Sequence, residues 1–271
     1  MPPTVSSVNA AIERLWPLSG AESWDAPGLL SGDPAAAVAR IHLAVDAVSA
    51  TVAEAVALGA DILLVHHPLL LRGVTTVAES TAKGALLARL IRAGCALVAA
   101  HTNADIVDTG TSAVFAAALG LAGTIPIVPL ETGGGIGRVG TLTEPTTLGR
   151  LARSIATILP ATATGVRVSG DYDLPVSRVA LCGGAGDSLL TQPLVRESDV
   201  YITSDLRHHP ASESRETARV QGGPALIDVS HWASEWLWLA TAARELQDAL
   251  PEVIITVSDL RTDPWDFVVV Q

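Results

Sequence analysis

Lysine is almost absent from this chain. Of 17 basic residues in 271 only Lys83 is a lysine, against 28 acidic residues, and the formal net charge is -11. So acidic a chain does not present the broad positive surface that nucleic-acid backbones require. A nucleotide substrate stays open, because bound divalent cations reverse the local field. The scarcity of lysine beside abundant alanine reads as codon bias and carries no functional meaning. Cysteine is also scarce: Cys95 and Cys182 both lie in apolar, strand-like runs. That excludes a disulfide framework and makes the cytoplasm the expected compartment. No apolar run approaches the length of a membrane span. The opening Met1–Ser7 has no basic region followed by an apolar one, so no signal peptide is expected. Charged residues make up 17% and hydrophobic ones 49%, a globular composition with enough length for one large or two small domains.

What is present is a regular alternation. After a first helix over 4–18, strands at Ile41–Val45, Ile62–Val65 and Ala96–Ala100 alternate with helices at Thr51–Leu58, Lys83–Ala93 and Gly110–Leu119, and a glycine closes each of these helices. Such spacing implies right-handed βαβ units and a mainly parallel sheet. The glycine- and proline-rich segment 123–137 marks a boundary. A second alternation follows, with strands at Arg138–Leu142, Val166–Ser169, Val179–Cys182, Val200–Thr203, Ala225–Val229 and Val253–Val257. Helices are expected at Thr147–Leu159, Ser188–Val195, Ala211–Val220 and Trp232–Leu250. The halves echo each other: Val38-Ala39-Arg40-Ile41 matches Val176-Ser177-Arg178-Val179, and the same register sets Asp61–Val65 on Asp199–Thr203. His66-His67 then falls opposite Ser204-Asp205.

Four strands end in residues that can carry chemistry: His66-His67-Pro68, His101 through Asp105, Ser204 through His209, and Asp228 through Glu235. Pro68 cannot donate to a ladder, so the first strand ends there and delivers two imidazoles to the C-terminal edge of a sheet. Alone, the pair reads as capping or surface histidines; the other strand ends shift the balance towards a site. His231 and Glu235 are four residues apart, on one face of a helix. Imidazole and carboxylate without thiolate suit zinc, manganese, iron, nickel or cobalt. Successive strand residues point to opposite sides, so His66 and His67 are expected to serve two neighbouring ions, an arrangement that activates water. Asp25 reads as a turn former or a polar site residue. The string Gly135 to Gly140 imitates a dinucleotide fingerprint but is not set between a strand and a helix. Cys182 to Asp187 can cradle phosphate with backbone amides, yet lacks the Walker lysine; tight packing is the equal or better reading, with Cys182 a core residue.

In order along the chain, Trp24-Asp25-x-x-Gly28-Leu29, Val65-His66-His67-Pro68-Leu69, His101-Thr102-Asn103-x-Asp105, Gly137-Arg138-x-Gly140, Gly183 to Gly186, Tyr201 to Leu206, His231-x-x-x-Glu235 and Asp263-Pro264-Trp265 make a specific series. It resembles the dinuclear metal-centre hexameric (Nif-three-like) proteins commonly named GTP cyclohydrolase 1 type 2 homologues. The resemblance implies two divalent ions held by His66, His67, Asp105, His231 and Glu235. In that pattern Glu235 bridges, His67 and Asp105 bind one ion, and His66 and His231 bind the other. It implies a homohexamer and an α/β subunit of two βαβ-containing domains with mainly parallel or mixed sheets. The second domain, 129–224, is inserted in the first, 1–128 with 225–271. Some relatives carry a further middle domain, for which the interval 138–178 leaves no room. The implied activity is hydrolytic opening of the guanine imidazole ring of GTP; the alternative is a metal-binding adaptor or metal-delivery protein without turnover. His101 is the expected proton shuttle or a partner orienting a ligand, and Asp25, Asp205 and His209 are expected to contact substrate or orient ligands. Two departures, Ala26-Pro27 for Asn-x and Ser204 and Arg207 for the Gly and Lys of Thr-Gly-Asp-Leu-Lys, fall outside the implied ligands. No membrane partner is expected.

Overall fold

A computed structural model describes residues 2–131 and 133–270. Met1, Gln271 and Thr132, the last inside the 123–137 boundary segment, lie outside the described residues. The chain forms two units, one of residues 1–104 and 239–262, the other of 105–238 and 263–271.

The first unit opens with α1 (Val5–Leu15), whose Thr4 cap exchanges bonds with Ser7 in a capping box. Then come β1 (Gly28–Ser31), β2 (Arg40–Asp46), α2 (Ser49–Ala57), β3 (Ile62–His67), α3 (Ala82–Ala93) and β4 (Ala96–Ala99). The chain continues through α4 (Thr102–Asp105), α5 (Thr111–Ala118), β5 (Leu121–Ile125), β6 (Val128–Pro129), β7 (Gly135–Ile136), β8 (Arg138–Thr147), α6 (Leu148–Ile158), β9 (Arg167–Ser169) and β10 (Pro175–Ala185). It ends with α7 (Pro193–Arg196), β11 (Val200–Ser204), α8 (His208–Gln221), β12 (Ala225–Val229), α9 (His231–Ala249) and β13 (Ile254–Val257).

The first sheet has the order β1-β4-β3-β2-β13, with all neighbours parallel except β1 against β4. Its central strand β3 is buried on both faces up to His66, as a helix-covered parallel strand must be. Leu63, Val65, Leu90 and Leu97 are in its core. The second sheet, β5-β8-β10-β11-β12-β9, is mixed, with a parallel centre of β10, β11 and β12. Val139, Ala180, Tyr201 and Leu226 pack in its core.

The βαβ expectation thus meets two sheets with parallel centres. β12 bonds to β11 in the second sheet, so Ala225–Val229 stands apart from the 225–271 return drawn from sequence. The expected helix Ser188–Val195 is instead a 3-10 turn, Asp187–Leu189, followed by α7. Pro193 lacks the N–H that a continuing helix needs and starts a new one. The echo between the halves has a physical basis. The Asp61 carboxylate accepts from the backbone N–H groups of Ala39 (2.7 Å) and Arg40 (2.9 Å). The Asp199 carboxylate accepts from Ser177 and Arg178, both at 2.8 Å. Each aspartate sits just before one strand and ties it to the start of its neighbour. No helix among the described residues is long and apolar enough to cross a membrane.

Candidate metal centre

In the first unit β3 runs through both histidines and stops before Pro68. His66 is fully buried and His67 partly so. His101 follows β4 and joins them. Ring centroids are 5.0 Å apart for His66–His67, 5.1 Å for His66–His101 and 5.5 Å for His67–His101. One ring nitrogen from each lies within 4.8 Å of the others. Strand alternation therefore does not separate His66 from His67 as expected. His67 is the last strand residue, opposite Asp46 in the ladder, and its ring turns to that carboxylate.

The Nδ1 contacts decide what these rings offer. His66 Nδ1 is 2.8 Å from Ala100 O, His67 Nδ1 is 2.7 Å from Asp46 Oδ1, and His101 Nδ1 is 2.8 Å from Asp25 Oδ1. Carbonyl and carboxylate oxygens only accept, so each Nδ1 carries the proton and donates it. In a neutral imidazole this makes Nε2 the atom with the lone pair, and it is how metal-binding histidines are commonly held. Asp25 does more than form a turn. Its buried side chain also accepts from Thr102 N (3.0 Å) and Thr102 Oγ1 (2.5 Å). Burial raises its carboxyl, but the bonds from His101 and Thr102 outweigh that and hold it well below the usual carboxylate range. Asp46 was absent from the sequence reading; only its position at the end of β2, one strand over from His67, marks it. Trp24 is exposed and meets the His101 ring edge-on, with centroids 5.9 Å apart.

In the second unit Ser230 caps α9, accepting from Ala233 N at 3.2 Å. The cap sets His231 in the first turn and Glu235 one turn on, with His231 Nε2 3.0 Å from Glu235 Oε1. Glu235 is 3% exposed. His231 Nδ1 donates to Asp205 Oδ2 at 2.8 Å. Burial lowers the His231 pKa, but the Glu235 and Asp205 carboxylates more than compensate and push it up to about 11. Gly184 closes over this pair: a Cβ there would lie 2.4 Å from Glu235 Oε1, and its φ is +69°. Its N–H donates to Ser234 Oγ at 3.0 Å. The run Cys182 to Gly186 thus serves close packing, the reading favoured from sequence. Burial, then Asp105, pushes the Cys182 thiol up to about 12, unsuited to a nucleophile. Gly135-Ile136 is a short strand paired with β6, and it is followed by β8 rather than by the helix a dinucleotide fingerprint needs. Asp105 ends α4 and accepts from Thr111 Oγ1 at 2.5 Å. His209 lies exposed in the first turn of α8, its ring 5.2 Å from that of His208.

Each cluster offers imidazole nitrogens or carboxylate oxygens, with the histidines held through Nδ1. That donor chemistry fits a borderline divalent ion.

A family model described as Duf34/NIF3 (NGG1p interacting factor 3) matches residues 3–264. A GTP cyclohydrolase 1 type 2 homolog from Streptomyces coelicolor is 47% identical over 271 residues, covering 97% of this chain and 94% of its own. One from Mycobacterium leprae is 34% identical over 371, covering 97% and 95%. That alignment is longer than this chain, so the relative carries inserted sequence. The crystal structure of a Bacillus cereus protein related to NIF3 superimposes with a TM-score of 0.89 at 23% identity, covering 99% of this chain and 100% of the other. A Staphylococcus aureus hypothetical protein gives 0.88 at 25%, with the same coverage.

Proposed function

The chain belongs to the Duf34/NIF3 family, and we propose on that premise that it is a metal-dependent hydrolase with a dinuclear centre. The substrate class is a nucleotide, and the reaction is hydrolytic opening of the guanine imidazole ring. The observation that carries the metal reading is the uniform Nδ1 restraint: four histidines, four oxygen acceptors. The name of the relatives supports the choice of GTP.

In this reading His66, His67, Asp105, His231 and Glu235 would hold two divalent ions. The bound pair would supply an acidified water and charge stabilisation for its attack. The chain's own residues do the rest. Asp25 fixes the His101 tautomer, leaving Nε2 to take up and return a proton; that ring, so close to His66 and His67, equally suits a role in orienting them. Asp46 and Asp205 orient His67 and His231. His209 contacts substrate. The chain assembles as a homohexamer in the cytoplasm.

The test is incubation of metal-loaded protein with GTP and analysis by mass spectrometry. The expected product is heavier than GTP by one water. A protein that holds both ions yet turns over no nucleotide in a broad screen favours the second reading, a metal-binding adaptor or delivery protein, which the same ligand set supports.

A further inference from the structure

The geometry points to Asp205 as a positioning residue: its left-handed backbone directs its carboxylate onto His231 and fixes the ligating nitrogen of that ring. The inference rests on the metal reading above and deepens it.

Asp205, at φ +57°, is the one non-glycine residue with positive φ among those described. L residues avoid this region, and aspartate visits it only singly. Such a conformation persists where the surroundings over-determine it, and here they do. On one side Ser204 ends β11 fully buried. On the other, Leu206 N donates to Asp228 Oδ1 at 3.2 Å, and Asp228 is itself paired with Arg167. The turn is thus pinned at both neighbours. The Asp205 side chain is 61% exposed, so burial does not account for an aspartate at a position suited to glycine. The directed bond to His231 Nδ1 at 2.8 Å does.

The echo between the halves sharpens this. Asp205 stands in register with His67. In the first half the strand end supplies an imidazole, held by the Asp46 carboxylate. In the second half it supplies a carboxylate, which holds an imidazole. The second half serves the centre by orienting a ligand.

Asp205→Gly and Asp205→Asn in the full chain separate this role from a structural one. Glycine suits the backbone but lacks the acceptor; asparagine tolerates the backbone and keeps a carbonyl acceptor. The Tm of metal-free protein and Zn²⁺ titration by calorimetry are the readouts. The expected result for Asp205→Gly is an unchanged or higher Tm, with one of two ions bound about 10–100-fold more weakly. Asp205→Asn is expected to restore affinity to within a few-fold of wild type. Wild-type affinity for both ions in Asp205→Gly would overturn the proposal, as would a Tm loss in step with the affinity loss. A wild-type chain that takes up no zinc would overturn the metal reading and this inference together.

Discussion

At the scale of single residues, the proposed site depends on the groups that hold its candidate ligands as much as on the ligands themselves. Gly184 is the sharpest case. Alanine there would meet Glu235 Oε1 at 2.4 Å and sit at an unfavourable φ. Gly184→Ala is expected to displace the carboxylate and weaken metal binding at least tenfold, read by calorimetry. His101→Ala is expected to keep both ions and lower turnover by about 10²–10⁴-fold, the range for general acid–base groups; loss of an ion would make it a ligand. The sequence showed the ligand types because histidines and carboxylates clustered at strand ends. It did not show Asp46 or the role of Gly184. Asp46 sits on the neighbouring strand, and only the β2–β3 register brings it to His67. Gly184 acts through a missing side chain, and a glycine pair beside a strand has many bland explanations.

At the scale of elements, what matters is how strand ends are aligned so that their last residues meet. Asp61 and Asp199 do this in the two halves, each tying down two backbone N–H groups. Asp61→Ala and Asp199→Ala remove a charged acceptor from two donors apiece. Each is expected to cost about 1–3 kcal/mol, measured as a lower urea midpoint with an unchanged slope. Helices α2, α3 and α5 were legible because their apolar spacing ends at a glycine, and the core strands because they are continuous branched runs. Strands β1 and β5 were not: β1 follows a turn-rich stretch, and β5 is largely exposed and contains Gly123. The break between the 3-10 turn at Asp187 and α7 is marked in the sequence by Pro193.

At the scale of the whole molecule, the family follows from the ordered motif series, and the match to residues 3–264 agrees with how much of the chain that series spans. The proposed hexamer needs surface to bury. The exposed apolar run Phe267, Val268, Val269 and Val270 provides some. Light scattering on purified protein is expected to give six times the 27.9 kDa chain mass; a monomer would contradict the assembly and leave the metal reading standing. The central claim is the dinuclear centre, and it is tested most directly by counting ions. Protein stripped with chelator and reloaded with zinc or manganese, then analysed for metal per chain, is expected to saturate at two, with Glu235→Ala and His67→Ala each falling short. Saturation of the wild type at one ion or none would contradict it.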